Sequence, residues 1–165
     1  LDPVMVAKGG QALLVPEAVD VLLTQLLPLC AIITPNIPEG ELLAGMPIRS
    51  IHDMHKAARR IANLGAPAVL LKGGHFQNAE TIPNILITPT QEMEFFIPRV
   101  NTPHTHGTGC TLASAIATGL AQGLELAAAV KRAQDYVSAA IAAAPGFGSG
   151  HGPLLHNYVM VAKPA

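Results

Sequence analysis

The sequence predicts an α/β protein in which helices cover both faces of a mostly parallel β-sheet. Half of the 165 residues are apolar and only 13% are charged, a balance typical of a chain with a large buried core. Short runs rich in Ile, Val and Leu alternate with segments of helical periodicity. Strands that alternate with helices favour a parallel sheet, because parallel strands need long crossover connections.

Five apolar or β-branched runs have the length of strands. The first three show little alternation, which is typical of strands buried on both faces. The last two are joined by a turn around Pro89. The predicted strands cover residues 1–6, 30–34, 68–71, 85–88 and 94–98.

Helix signals fill the intervals between these strands. Proline favours the first turn of a helix, a hydroxyl side chain caps it, and glycine closes it. A Gly-rich loop is predicted at residues 8–11, and a Gly- and Pro-rich tail at residues 145–153. Helices are predicted from Pro16 to Pro28, over residues 39–43, from Ser50 to Gly65, over residues 110–120 and over residues 125–143.

Polar residues with chemical potential follow the predicted strands. In open α/β sheets, ligands bind beyond the carboxyl ends of the strands. The sequence therefore predicts that these residues lie together at one edge of the sheet. They are Asp2, Asn36, Glu39, Lys72 and the turn Gly107–Cys110.

The turn Gly107-Thr108-Gly109-Cys110 precedes a helix, where backbone amides favour a negatively charged ligand. Such a turn suits a phosphoryl group in transfer, although a Gly-rich turn can also do no more than start a helix. Helix N-termini favour thiolates, so Cys110 is a candidate base or nucleophile, or else a small buried apolar residue. Cys30 lies in an apolar run and is assigned to the core.

Four further residues suit a magnesium and phosphate site. Asp2, Asn36 and Glu39 offer the oxygen donors that Mg²⁺ prefers. Lys72 could neutralise phosphate as a point charge. Three of them also have a plain structural interpretation: an Asx turn for Asn36, a first helical turn for Glu39 and a solvated strand end for Lys72.

Composition excludes several classes of protein. The net charge of −1 gives no basic surface for nucleic acid, and no apolar run reaches the length of a membrane span. Two cysteines far apart form no disulfide framework, which favours the cytoplasm. No histidine pair shows a structural zinc spacing.

Five motifs stand out along the sequence: Asp2 to Lys8, Thr34 to Glu39, Lys72 to His75, Thr105 to Thr111, and Gly150 to Pro153. Together they resemble the hydroxymethylpyrimidine phosphate kinases of thiamine biosynthesis, a branch of the ribokinase-like superfamily. The most specific is the string Thr-His-Gly-Thr-Gly-Cys-Thr, because most of the superfamily has Asp where this branch has Cys.

The resemblance implies a ribokinase-like three-layer sandwich. Residues 1–165 would form the C-terminal portion of a single kinase domain whose N-terminal part is missing from this chain. It also implies a pyrimidine substrate, ATP as co-substrate, Mg²⁺ and a homodimer.

Roles for individual residues follow from the resemblance. Cys110 would be the base that activates the substrate hydroxymethyl group, and Gly107, Thr108 and Gly109 would form an anion hole. The other roles are Lys72 for the phosphates, Val4 for the pyrimidine pocket, Asn36, Lys72 and Thr108 for the nucleotide, and Asp2 and Glu39 for the metal.

The chain departs from the family pattern at three positions. His104 stands where Asn is common, Asn84 where Asp is common, and Gly40 where Ala is common. Three alternatives stay open. They are a pyridoxal kinase of the same superfamily, a thiol acyl-transfer enzyme using Cys110 with His106 as base, and a binding module without turnover.

Overall fold

Five α-helices and a three-stranded sheet form over residues 1–6, 11–76 and 80–160, which a computed structural model describes. They fall into an N-terminal unit, Leu1–Ile97, and a C-terminal unit, Pro98–Ala165. The α/β class is as predicted. The loop predicted at residues 8–11 lies mostly outside the described residues.

The N-terminal unit begins with a helical segment of three types. Helix α1 covers Pro16–Val21 with Pro in its first turn, a π-helical turn covers Leu22–Leu26, and a 3₁₀ turn covers Leu27–Leu29. The predicted helix is therefore confirmed, and it ends one residue after Pro28.

Side-chain caps define the next two helices. Helix α2 covers Ile37–Ala44 and ends at Gly45, whose φ of 60° is left-handed. Helix α3 covers Ile51–Asn63, and the Ser50 side chain accepts a hydrogen bond from the Asp53 amide at 3.1 Å. The apolar face of α3 is buried through Met54, Ala57, Ala58 and Ile61.

The sheet has the order β1-β2-β3, with β1 at Val69–Lys72, β2 at Thr81–Ile87 and β3 at Glu92–Pro98. Strands β1 and β2 are antiparallel. The prediction of a mostly parallel sheet is therefore wrong for this pair. The reason is the connection over residues 73–80, which is shorter than the dozen or so residues that a parallel crossover needs.

Parallel pairing does occur on the other side of β1. Isolated parallel bridges join Ile33 to Val69 and Asn36 to Lys72. Pro35 lies between these bridges and has no amide to donate, so the ladder is interrupted. Residues 30–34 consequently form no strand, and residues 1–6 form only a single bridge from Val6 to Ala12. These two strand predictions are wrong.

The core of the N-terminal unit lies between α3 and β1. Leu27, Ile33, Met54, Ile61 and Val69 are fully buried in one cluster. This packing holds the carboxyl end of β1, where Lys72 lies, at a fixed place relative to the start of α2.

The C-terminal unit is built on two packed helices. Helix α4 covers Thr108–Ala121 and helix α5 covers Leu126–Ala142. Gly119 permits their close approach, because a Cβ atom there would lie 2.9 Å from the Cβ of Ala129. A 3₁₀ turn follows at Tyr158–Met160. No helix within the described residues is both long and apolar enough to cross a membrane.

Candidate functional site

The first group of predicted site residues lies in the N-terminal unit. Lys72 ends β1, and its Nζ lies 3.2 Å from Asp2 Oδ1. The Thr34 hydroxyl donates to the same oxygen at 3.3 Å. The two charged side chains are only about one-seventh exposed, at 14% and 15%. This ion pair is thus shielded from most screening by salt. Asp2, Thr34, Asn36, Glu39 and Lys72 are called the charged cluster below.

Glu39 is held differently, through backbone amides. Its Oε2 accepts from the Asn36 amide at 2.8 Å, and its Oε1 accepts from the Met5 amide at 3.3 Å. The Asn36 side chain accepts in turn from the Glu39 amide at 3.0 Å, which completes a capping box. Glu39 is 3% exposed. Its carboxylate therefore joins the N-terminal segment to the start of α2.

Val4 lies in a strained backbone conformation between Pro3 and Met5, which are both buried. Its φ is 42°, in the left-handed region that β-branched residues avoid. Such strain persists only where neighbouring contacts fix the backbone, and here the Met5 amide is held by Glu39. The Val4 side chain is 45% exposed and available to a ligand.

The loop after β1 is closely packed at its start. The Gly73 amide donates to Pro83 O at 2.9 Å and to the Asn84 Oδ1 at 3.1 Å. A Cβ atom on Gly73 would collide with Pro83 O. Part of the His75 side chain reaches solvent, yet desolvation of its ring, with the Lys72 ammonium, lowers the pKa of His75.

The oxygen donors of the charged cluster suit a magnesium–phosphate complex to different degrees. Mg²⁺ usually keeps several waters and takes one or two carboxylates together with phosphate oxygens. The Asp2 carboxylate reaches solvent, which fits this pattern, and its Oδ1 is paired with Lys72 Nζ. Each oxygen of Glu39 already accepts an amide. Within the described ranges, no three His, Cys, Asp or Glu side chains cluster as a metal site.

The second group of predicted residues lies at the start of α4. Gly107 has a φ of 83° and provides no side-chain cap. The first intrahelical bond runs from the Thr111 amide to Gly107 O at 2.9 Å, so the amides of residues 107–110 lie ahead of it. The Thr108 hydroxyl donates to Thr105 O at 3.2 Å, and the helix sets the direction of the Thr108 backbone amide. Backbone amides at a helix N-terminus are a common way for proteins to bind phosphate.

Cys110 is an exposed free thiol in the first turn of α4. It lines a groove of about 580 Å³ along α4 and α5. Thr111, Ser114 and Thr118 line the same groove from α4, and Arg132 and Tyr136 line it from α5. The thiol therefore shares this groove with hydroxyl groups and one guanidinium. By contrast, Cys30 is partly buried, and burial raises the pKa of its thiol.

The structure brings Asp2, Asn36, Glu39 and Lys72 into the charged cluster, and it places Gly107–Cys110 together at α4. Each group lies in its own unit, and the prediction that they share one edge stays a prediction. Sequence reasoning missed the Thr34 hydroxyl, the Asn84 bond to Gly73, and the groove residues Arg132 and Tyr136. Spacing along α5 was the available signal, since positions i and i+4 share a helix face.

Comparison with known families matches residues 1–155 to the family described as phosphomethylpyrimidine kinase. A thiamine biosynthesis bifunctional protein ThiED of Geobacter sulfurreducens is 51% identical, covering 99% of this chain and 33% of that protein. A hydroxymethylpyrimidine/phosphomethylpyrimidine kinase of Haemophilus influenzae is 45% identical, covering 94% of this chain and 59% of that protein. The chain thus spans at most about three-fifths of these relatives.

Solved structures give a similar result. An ADP complex of Bacillus subtilis pyridoxal kinase matches with a TM-score of 0.88 and 35% identity, covering 98% of this chain and 61% of that chain. A phosphomethylpyrimidine kinase from Clostridium difficile 630 matches with a TM-score of 0.70 and 39% identity, covering 83% and 54%. The fold is therefore like that of pyridoxal and phosphomethylpyrimidine kinases, as the ribokinase-like prediction expected.

Proposed function

Because the chain belongs to the phosphomethylpyrimidine kinase family, we propose that it carries the phosphoryl-transfer site of a kinase for hydroxymethylpyrimidine and its monophosphate in thiamine biosynthesis. The observation that carries the proposal is the start of α4. It combines amides that precede the first intrahelical bond with an exposed thiol in the same turn. A phosphate binder alone would not need that thiol.

The chemistry assigned to this turn is in-line transfer from ATP. The Cys110 thiolate takes the proton of the substrate hydroxymethyl group, and the resulting oxygen attacks the terminal phosphorus. The bond from that phosphorus to the bridging oxygen breaks, and ADP leaves. The amides of Gly107, Thr108 and Gly109 stabilise the charge on the transferred group. The second transfer uses an oxygen of the monophosphate as the acceptor.

The charged cluster is assigned to the nucleotide and the metal. Lys72 neutralises phosphate charge, and its ion pair with Asp2 keeps the ammonium in place beforehand. Asp2 would hold Mg²⁺, which neutralises charge on ATP when bound, whereas both oxygens of Glu39 already accept backbone amides. Asn36 contributes its side-chain amide, since its oxygen already accepts from the Glu39 amide. Val4 presents its exposed side chain to the pyrimidine.

A pyridoxal kinase is the second candidate. Its support is the structural match to the Bacillus subtilis enzyme at a TM-score of 0.88, against 0.70 for the phosphomethylpyrimidine kinase. Sequence identity favours the first proposal, because the phosphomethylpyrimidine kinase is 39% identical to this chain and the pyridoxal kinase is 35% identical. A homodimer, which the family resemblance implies, and a cytoplasmic location remain predictions.

One experiment separates these proposals. The purified full chain is incubated with MgATP and hydroxymethylpyrimidine or its phosphate, with pyridoxal in parallel, and the products are identified by mass spectrometry. We expect the pyrimidine diphosphate as the final product. Cys110→Ala should lower the rate about 100- to 10,000-fold, the usual contribution of a general base. Cys30→Ala is the matched control.

Other outcomes have definite meanings. Pyridoxal phosphate as the sole product would favour the second candidate, and a pyrimidine monophosphate without diphosphate would contradict the second transfer. Thermal stabilisation by the pyrimidine phosphate without any ADP would indicate a binding module. An acyl adduct on Cys110 would indicate the thiol acyl-transfer alternative.

A further inference from the structure

The loop before α4, residues 99–107, is hydrogen-bonded to the tail loop, residues 145–153, through the backbone N–H and C=O groups of Gly152. These two hydrogen bonds are called the fastening below. The Gly152 amide donates to His104 Nδ1 at 3.1 Å, and Gly152 O accepts from the His106 amide at 3.3 Å. His106 and Pro153 form a parallel bridge there. Because His106 directly precedes Gly107, this fastening fixes the residue from which the phosphate-binding turn begins.

Only glycine fits at position 152. A Cβ atom there would collide with His104 Nδ1 and would lie 3.0 Å from Phe147 O. On the other side of the imidazole, a Cβ on Gly146 would lie 3.6 Å from His104 Nε2. The His104 ring is thus enclosed by two glycines of the tail loop, and its backbone amide is held by the Thr102 hydroxyl at 3.2 Å.

The direction of the bond determines the charge that His104 must carry. An amide N–H can only donate, so Nδ1 of His104 must accept and cannot hold a proton. The neighbouring His151 has the opposite arrangement. Its Nδ1 lies 3.0 Å from Pro103 O, and a carbonyl oxygen only accepts, so that Nδ1 must donate. Protonation breaks the His104 bond and leaves the His151 bond intact.

We propose that His104 is a positioning residue, which holds the tail loop against the phosphate-binding turn when neutral and releases it when protonated. Residues 99–107 and the tail loop contain no carboxylate, and their other ionisable side chains are Arg99, His106 and His151. Nothing in either segment therefore compensates a charge on His104. The effect on catalysis rests on the proposed function, whereas the effect on the loop does not.

Asparagine is the informative replacement. The Oδ1 of Asn occupies nearly the same place along the side chain as Nδ1 of His, and it accepts a hydrogen bond at every pH. His104→Asn therefore keeps the fastening and removes its pH dependence. His104→Ala removes the acceptor altogether. His151→Asn is the matched control, because His151 lies at the same junction.

The test is amide hydrogen exchange of Gly152 in the full chain, expressed as protection relative to the intrinsic rate. At neutral pH, we expect His104→Ala to lower protection about 3- to 10-fold, the loss expected for one neutral hydrogen bond, and His104→Asn to preserve it. On acidification, protection should fall in the wild type and in His151→Asn, but not in His104→Asn, because only a neutral Nδ1 of His104 can accept the Gly152 amide.

Two results would overturn the proposal. One is protection of Gly152 that is independent of pH in the wild type, and the other is an equal loss of protection in His104→Asn and His104→Ala. The kinetic readout is the acid side of the profile of kcat/KM against pH, which His104→Asn should shift to lower pH. If Gly152 behaves as expected and no kinase activity is found, the proposed function fails and the fastening stands.

Discussion

In the charged cluster of the N-terminal unit, carboxylates are tied to an ammonium group and to backbone amides, whereas the turn at α4 offers backbone amides and one exposed thiol. The cluster depends on charge that folding has removed from water. The turn depends on the left-handed backbone of Gly107 and on the helix that follows. Substitutions in the cluster should therefore affect stability first, and substitutions in the turn should affect activity first.

The largest expected effect on stability is at Glu39. Glu39→Gln replaces a carboxylate that accepts from both Met5 and Asn36 by an amide with only one accepting oxygen. Because one buried donor then faces another, we expect the free energy of unfolding to fall by about 2–4 kcal/mol. Urea denaturation measures this change.

Glu41→Gln is the matched control on the same helix. Glu41 also accepts from a backbone amide, that of Ile48 at 2.8 Å, but through one oxygen only. Glutamine can keep that bond, so we expect a loss of about 1 kcal/mol or less. Equal effects of the two substitutions would show that Glu39 does not hold the N-terminal segment as described.

The next effect sharpens the comparison at the turn. Gly107→Ala places a side chain in open space, with no atom within 4 Å of the added Cβ, so only the backbone conformation is penalised. We expect the free energy of unfolding to fall by about 1–2 kcal/mol. Kinase activity should fall by a larger fraction of its wild-type value. Gly107→Asn should lose less stability, because Asn tolerates the left-handed region.

Gly73→Ala gives the contrast in the N-terminal unit. There the added Cβ would collide with Pro83 O, so packing rather than backbone conformation is affected. We expect a loss of about 1–3 kcal/mol, as for an overpacked site. Denaturant curves of the two alanine variants, together with Gly107→Asn, test this distinction. A Gly107→Asn variant as unstable as Gly107→Ala would contradict the conformational explanation.

The parts that sequence predicted well are those set by local chemistry. Ser50 and Asn36 cap helices through side chains three residues from their partners, and Gly107 begins α4. The parts it missed depend on distant pairing. Pro35 follows the strand predicted over residues 30–34 and separates two isolated bridges, and that consequence appears only when β1 lies beside it. No local pattern relates Met5 to Glu39 across 34 residues.

A smaller effect of opposite sign is expected at Val4. Val4→Gly removes the strain of a β-branched residue in the left-handed region, which should stabilise the folded chain by about 1–3 kcal/mol. It also makes the unfolded chain more flexible, which should offset up to about 1 kcal/mol of that gain. We therefore expect a net stabilisation of about 1 kcal/mol. Thermal denaturation measures it, with Val21→Gly as the control.

Val21 is exposed to a similar degree, but its φ is −63° and it lies within a helical segment. Val21→Gly relieves no strain and should only destabilise. Destabilisation by Val4→Gly of the same size would contradict the assignment of strain to Val4. In the kinase assay, loss of the Val4 side chain should raise KM for the pyrimidine.

The smallest effect concerns His75 and links the charge of Lys72 to a titration. Desolvation and then the Lys72 ammonium lower the pKa of His75, while Glu41 raises it. Lys72→Met should therefore raise this pKa, and Glu41→Gln should lower it further, as measured by NMR titration of the imidazole. A pKa of His75 that is unchanged in Lys72→Met would show that the ammonium does not act on the ring.

The sign of the effect on stability follows from the same shift. A histidine whose pKa is lower in the folded chain binds fewer protons when folded than when unfolded. Its contribution is therefore fully present above the ordinary histidine pKa and is lost as the pH falls through the lower folded value. Lys72→Met should make the loss of stability on acidification smaller, although it also breaks the ion pair with Asp2. The pKa of His75 reports only the electrostatic effect of the Lys72 ammonium on the imidazole, whereas stability reports that effect together with the loss of the ion pair with Asp2. Measuring both therefore separates the two effects of Lys72.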